Sequence, residues 1–345
     1  MATIKEVAER AKVSVGTVSN VLSGAVSVTP RLRKRVLAAV RELDFHPSQV
    51  ARSLKTKQTE MLGIVISDIT NPFFPLVVRG AEDVASKDNY LLITVNTDDK
   101  VERERHALSV LRSRRVDGVL LVVAPNDGDT SHIERTMAAG IPIVCLDRIP
   151  QGISLDSVSV DSAVGARECV RHLVTMGHAE IAIINGPIRL ETARERLRGY
   201  EEALQEAGIP IEQRLIREGD FRVESGYREA RELLLAAKPP TALFVANGMM
   251  TLGVLNALDE LRVRCPEDIA LASYDDLALA ASFRPRLTAV AQDAYKIGYM
   301  GAELLMQRVK GRISDPQPVQ IRLRPELRIR ESSLGYRPQL SATVP

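Results

Sequence analysis

Several short apolar runs in this chain are followed at once by side chains that can recognise a small molecule. Asn71, Phe73 and Phe74 come after "GIVISDIT", Asp147 and Arg148 after "IPIVCL", Arg194 and Arg196 after "IAIING". Asn247 follows "TALFVA", and Asp275 and Asp276 follow "DIALASY". Phe221 sits within "EGDFRVESGY", and Gln292 follows one more short apolar run. Carboxylates, amides and guanidiniums make planar, bidentate hydrogen bonds. Aromatic faces suit the C–H faces of a sugar ring. A phosphorylated ligand would call for a net positive set or a glycine-rich loop, and neither G-x-G-x-x-G nor G-x-x-x-x-G-K-[ST] is present. The inventory fits a neutral, polyhydroxylated ligand. Each residue also has a plainer reading: core phenylalanines, a helix cap at Asp147, a turn at Asp275, a charged helix face for Arg194 and Arg196.

A second set of chemistry-bearing residues lies near the start, in "TIKEVAERAKVSVGTVSNVLSG". Gly16, Thr17, Ser19 and Asn20 fall on the outer side of a short helix whose inner side carries Val15, Val18, Val21 and Leu22. Hydroxyls suit phosphate oxygens, and Asn pairs bidentately with adenine in a major groove. Gly16 brings no side chain to read a base. A first helix is marked by the Ile4, Val7, Ala8, Ala11 spacing and by Thr3 with Glu6 as a capping box. Ser14 caps the second helix, Gly24 closes it, and Pro30 opens a third with Leu32, Val36, Leu37, Val40 and Leu43 inward. This is the pattern of a helix-turn-helix domain; it is equally the pattern of a plain three-helix bundle with a solvated face. The segment "HPSQVARSLKTKQT" beyond it reads as a linker, or as a hinge helix that folds only when clamped against DNA and its twin.

Charge separates the two parts. Residues 1–60 hold eleven Lys or Arg and five Asp or Glu, a net of +6, whereas the whole chain has +2, so the remainder is mildly acidic. An anionic partner is expected for the first part alone. The 345 residues, 45% of them hydrophobic, are enough for two or three globular domains. No run long enough to span a bilayer and no secretion signal is seen, so a cytoplasmic protein without membrane attachment is expected. Cys145, Cys169 and Cys265 are far apart, and the five histidines lack ligand spacing, which argues against a disulfide frame or a metal. No nucleophile elbow, H-E-x-x-H or P-loop points to an enzyme, and no cofactor is called for.

From Leu62 on, the strands "LGIVIS", "LLITV", "GVLLVV", "IPIVCL", "SVSV", "EIAIIN", "TALFVA" and "DIALASY" alternate with helical stretches such as Phe74–Lys87 and Arg103–Arg115. Near-continuously apolar strands separated by helices imply parallel sheets covered on both faces. The run is too long for one sheet, and "SVSVD" near residue 160 is a plausible crossover. The expected fold is an all-α headpiece followed by an α/β body of two doubly wound lobes. Ligand would bind between the lobes, at the carboxyl ends of the strands.

"TIKEVAERAKVSVGTVSNVLSG", "VLAAVRELDFHPSQVARSLK" and "GIVISDITNPFF" together resemble the lactose-repressor/galactose-repressor family of bacterial transcription regulators. The likeness runs from Thr3 to about Arg330. It implies base-reading positions at Val15, Gly16 and Asn20, phosphate or docking positions at Ser14, Thr17 and Ser19, and a minor-groove wedge at Leu54 with Lys55 beside it. The body resembles the periplasmic sugar-binding fold, and "NPFF", "LDR", "ARER", "GDF", "AN", "YD" and "AQ" resemble its ribose-type branch. That resemblance implies a pocket of Asn71, Phe73, Phe74, Asp147, Arg148, Arg196, Phe221, Asn247, Asp275 and Gln292, with Phe73 and Phe221 sandwiching the ring.

The implied domains are a helix-turn-helix unit at 1–46, a hinge at 47–59 and a tail at 336–345. The N-lobe takes 60–160 plus about 293–320, and the C-lobe 161–292 plus about 321–335. The implied partners are operator DNA, a second copy of the chain and a monosaccharide effector. Alternatives are a nucleobase or nucleoside effector, a protein corepressor, a cytosolic sugar-binding protein and a sugar-acting enzyme. Three departures stand out. Gly248 replaces the family's Asp, which puts a helix cap or a ligand contact in doubt. Asp293 replaces a common Pro. Leu190 stands where the purine-responsive branch has Arg, which speaks against a purine.

Overall fold

The computed structural model describes residues 2–22, 28–45, 58–277, 282, 284–313 and 315–335. These fall into two compact units, Met1–Thr59 and Glu60–Pro345. The expected helix stop at Gly24 and the hinge reading of Leu54 and Lys55 lie outside the described residues.

Among the described residues the first unit holds three helices, α1 (Ile4–Ala11), α2 (Val15–Leu22) and α3 (Pro30–Glu42). Thr3 and Glu6 form the capping box: the Glu6 N–H donates to Thr3 Oγ1 at 3.3 Å and the Thr3 N–H to Glu6 Oε2 at 2.6 Å. Lys12 ends α1 in a left-handed conformation, φ 48°. The turn after it is tied to α3, since the Arg35 guanidinium donates to the carbonyls of Ala11 and Lys12 at 2.6 and 3.1 Å. Val7, Ala8, Ala11, Val18, Val21, Val36 and Ala39 fill the core, and Phe45 closes it. Two inward assignments are corrected. Leu37 is 40% exposed, because the core stripe of α3 runs through Val36, Ala39, Val40 and Leu43 and leaves Leu37 at its edge. Val15 is 41% exposed, being the first residue of α2 and a full turn ahead of Val18.

Among the described residues the second unit contains two six-stranded sheets. In chain order its strands are β1 (Met61–Ile66), β2 (Leu91–Asn96), β3 (Gly118–Leu121), β4 (Ile143–Leu146), β5 (Asp156–Val160), β6 (Ile181–Asn185), β7 (Ile216–Glu218), β8 (Ala242–Val245), β9 (Ala270–Tyr274), β10 (Thr288–Ala291), β11 (Gln320–Leu323) and β12 (Glu326–Arg328). Its helices are α4 (Phe73–Lys87), α5 (Val101–Ser113), α6 (Ser131–Ala138), α7 (Ser162–Thr175), α8 (Glu191–Glu206), α9 (Val223–Leu234), α10 (Gly248–Leu261) and α11 (Ala294–Val309). One sheet runs β2-β1-β3-β4-β5-β11, all parallel; the other runs β7-β6-β8-β9-β10-β12, with only β12 antiparallel. Central strands such as β3, β4, β6 and β8 are buried throughout, as strands with helices on both faces must be. The edge strand β2 has exposed and half-buried positions but none fully buried.

The chain passes between the lobes after β5, after β10 and between β11 and β12. The first passage is at Asp161, where "SVSVD" was read as the crossover, and Asp161 there caps α7 by accepting from the Val164 N–H at 3.2 Å. The last falls at residues 324–325, a few residues beyond the expected 320, since β11 pairs with β5 in the N-lobe. The strands β7, β11 and β12 have no counterpart in the sequence reading.

Candidate functional site

Each sheet reverses its strand order beside its first strand, and the crevices at such reversals open at the carboxyl ends of strands. The residues that follow those ends meet in one cleft. It is lined by Asn71, Phe73, Phe74, Asp147, Arg148, Thr192, Arg196, Phe221, Asn247, Asp275 and Gln292, and holds about 310 Å³ of space, its mouth included. All ten residues named for the pocket are among them. Arg194 and Asp276 are not. The Arg194 guanidinium donates to the carbonyls of Ile188 and Arg189, and Asp276 is paired with Arg328 and Arg330.

The N-lobe side is aromatic and charged. Asn71 Oδ1 accepts from the Phe73 N–H at 3.1 Å, fixing the turn from which α4 starts. Phe73 and Phe74 meet edge to face with ring centroids 5.2 Å apart, an arrangement the ring quadrupoles favour. After β4, Asp147 adopts φ 62°, a conformation that short polar side chains tolerate, and its N–H still bonds the Val158 carbonyl at 2.9 Å. Arg148 is 5% exposed and paired with Asp99, with its Nη1 3.4 Å from the Val123 carbonyl. Burial pushes the Asp147 carboxyl above its ordinary range, against the pull of Arg148 and Arg196. Burial would lower the Arg148 pKa, but Asp99 and then Asp147 outweigh it and raise it.

The C-lobe side carries the complementary groups. The Arg196 guanidinium lies 3.9 Å from the Tyr274 ring centre and 5.8 Å from that of Phe221, and donates to the Ala246 carbonyl at 2.6 Å. Phe221 has φ 66° and its carbonyl accepts from Asn247 Nδ2 at 3.0 Å. Its ring lies against Gly186, where a Cβ would come within 2.0 Å of Phe221 Cζ. Asn247 Oδ1 accepts from the Met250 N–H at 2.9 Å, so α10 is capped even with Gly248 beside it. The Gly248 N–H faces Asp275 Oδ2 at 3.4 Å, and a Cβ there would come within 2.6 Å of Leu277. Asp275 Oδ1 accepts from Gln292 Nε2 at 2.5 Å. Gln292 Oε1 and Arg196 Nε are buried without a hydrogen-bond partner, one acceptor and one donor left for another molecule. Two arginines face two aspartates, so the wall has no net charge and suits a neutral ligand with many hydroxyls.

On α2, Ser14 Oγ accepts from the Thr17 N–H at 3.1 Å and lies 2.9 Å from Thr17 Oγ1. Ser14, Val15, Gly16 and Asn20 are exposed; Thr17 and Ser19, read as outward, are half-buried. The Ser14 interaction draws the Thr17 hydroxyl back toward the N-terminus of the helix.

Family models match both units. Residues 3–48 match bacterial regulatory proteins of the lacI family, and residues 170–333 match the periplasmic binding protein-like domain. The chain is 35% identical over 332 residues to the HTH-type transcriptional repressor PurR of Photobacterium profundum, covering 96% of this chain and 98% of that protein. It belongs to the lacI family. It is also 34% identical over 311 residues to the ribose operon repressor of Haemophilus influenzae, covering 90% of this chain and 92% of that one. Among solved structures it resembles the lac repressor dimer bound to operator and the anti-inducer ONPF, with a TM-score of 0.85 and 30% identity over 97% of this chain and 99% of the other. As a lacI-family repressor the protein is a DNA-binding transcription regulator, and no described helix is long and apolar enough to cross a membrane.

Sequence reasoning missed one residue of the cleft lining in this lacI-family protein, Thr192, and the partner of another, the Asp99 that pairs with Arg148. Thr192, 5% exposed in the first turn of α8, lies two positions before the arginine pair and carries no distinguishing motif. Asp99 belongs to an acidic pair after the edge strand β2, whose end gave no reason to look there.

Proposed function

We propose that this protein binds a pseudo-palindromic operator as a dimer and that a ribose-like monosaccharide in the cleft sets its operator affinity. The observation that carries the ligand class is the cleft wall, with its compensated charge, planar hydrogen-bonding groups and aromatic faces. Asp147, Arg148, Arg196, Asn247, Asp275 and Gln292 would bond ring hydroxyls, and Phe73 and Phe221 would cover the ring faces, with Phe74 beside them. A relative named for a ribose operon supports the same choice. Ligand acts by binding one arrangement of the body better than another, which is the only way it can move the equilibrium.

A nucleobase is the second reading. The same aromatic rings can stack on a flat heterocycle, and the Thr192 hydroxyl can serve its edge. Leu190, buried and apolar at the entry to α8, counts against it. Calorimetry against ribose, glucose and hypoxanthine decides between them. Ribose binding with no heat from hypoxanthine is expected; hypoxanthine binding with no heat from any sugar would overturn the proposal.

On the DNA side, Val15 and Asn20 would read bases, with Gly16 at a base-reading position but without a side chain. Ser14, Thr17 and Ser19 would dock on phosphates, and Leu54 and Lys55 would act at the operator centre. Asn20→Ala is expected to broaden the half-site recovered from a random duplex pool while non-specific affinity changes less than about threefold, because base contacts specify and phosphate contacts position. Recovery of the same half-site with the same stringency would remove Asn20 from the reading surface.

A further inference from the structure

A buried acid–imidazole pair lies behind the cleft rather than in it. Glu104 of α5 is fully buried, and its Oε1 is 2.6 Å from Nε2 of His132 on α6, itself 4% exposed. The other carboxylate oxygen accepts from the Ala124 N–H at 2.5 Å. Ala107, Leu108 and Leu111 of α5, Ile133 of α6 and Cys145 of β4 belong to one buried apolar cluster, and the buried Thr136 hydroxyl donates to the His132 carbonyl at 2.8 Å. A pair of this kind is costly to bury, and well-packed apolar residues of similar volume commonly serve a core as well or better. Stability alone does not account for it.

What the pair holds is a backbone segment. β3 ends at Leu121, and the Val122 N–H still reaches the Val65 carbonyl at 2.9 Å. Beyond that point the chain leaves the sheet, and the Ala124 N–H has Glu104 as its partner; without it a buried donor would be left unpaired. The neighbouring Val123 carbonyl faces Arg148 Nη1 in the cleft wall at 3.4 Å. The same carboxylate also adds to the negative charges acting on the Arg148 guanidinium.

We infer that Glu104, oriented by His132, is a positioning residue that fixes residues 123–124 and through them the guanidinium of Arg148 in the cleft. The inference rests on the cleft being the effector site, but its structural half can be read without any effector. Glu104→Ala removes the tie to Ala124. Glu104→Gln keeps an acceptor for the Ala124 N–H and rescues it. Crystal structures of the two ligand-free variants are expected to show the Arg148 guanidinium displaced from Val123 in the first and retained in the second. Calorimetry with ribose is expected to give about tenfold weaker binding for Glu104→Ala and binding within about threefold of wild type for Glu104→Gln. His132→Leu, which leaves Glu104 with one partner, is the second test if Glu104→Ala does not fold, with Arg148 displaced and ribose affinity reduced. An unmoved Arg148 in the variant that folds overturns the inference, as does unchanged ribose affinity. A wild-type protein that binds no sugar instead sinks the effector reading, and the position of Arg148 still decides this one.

Discussion

Asp275→Asn is expected to weaken ribose binding about hundredfold while leaving the operator affinity of the ligand-free protein unchanged. The carboxylate is 9% exposed, held by Gln292 Nε2 at 2.5 Å and faced by the Gly248 N–H. Both of its oxygens are therefore committed as acceptors with fixed orientation. Hydroxyls donating to such a charged acceptor contribute about 1.5–3 kcal/mol each, so the loss of one strong bond or two ordinary ones reaches about hundredfold. Asparagine is nearly isosteric and tolerates the left-handed backbone at this position, φ 72°, so the fold should persist. Its amide replaces one acceptor by a donor, in the place where the sugar must donate. Calorimetry on the folded variant checks the effect; binding within about threefold of wild type would mean that Asp275 does not touch the ligand.

The second large effect comes from a residue with no side chain. Gly186→Ala places a methyl group where the tip of the Phe221 ring lies, with Cζ, Cε1 and Cε2 all within 2.0–2.5 Å of the new carbon. Real carbon contacts do not occur at such distances, so the ring must move. Its backbone cannot easily follow, because Phe221 is left-handed and its carbonyl is tied to Asn247. The ring is expected to swing into the cleft, away from its positions beside Arg148 and Arg196, and ribose affinity to fall about thirtyfold or more. The cost in stability should stay near the 1–3 kcal/mol typical of overpacking. Thermal unfolding together with calorimetry separates the two. A variant that loses stability but keeps its affinity would show that Phe221 does not cover the ligand.

The sequence exposed the cleft well because parallel strands deliver side chains to one edge. Once the apolar runs ending near Asn71, Asp147, Asn247 and Asp275 were recognised, the residues after them had to converge at the strand ends. Arg196 was harder, lying a turn and a half into α8 beside Arg194, and only its burial separates them. Thr192, Asp99 and Glu104 were illegible for a different reason. Their roles come from partners distant in the chain, as when Glu104 meets Ala124 and His132, and no local pattern records such a meeting.

Among the elements, β11 and β12 were missed because "QIRLRPELRIR" mixes arginine and glutamate with its apolar residues. The structure puts these strands at sheet edges, where side chains alternate between exposed and half-buried. A search tuned to fully buried parallel strands passes over that period-two pattern. Phe45 was missed in the first unit because it follows α3 outside the helical repeat, yet it closes the core. Leu37 is the converse case, an apolar residue counted as core by type that the 100° step of the helix turns outward.

The proposed function requires that a ligand in the cleft alter the operator affinity of the DNA-binding unit. The most direct test is operator affinity, measured by fluorescence anisotropy on a duplex selected from a random pool, for wild type and Asp275→Asn, without ribose and with ribose at a concentration that saturates the wild type. The expected result is an affinity about tenfold or more lower for wild type with ribose, within the usual range of allosteric coupling, and no change for Asp275→Asn. Wild-type operator affinity that stays the same while ribose fills the cleft would contradict the account.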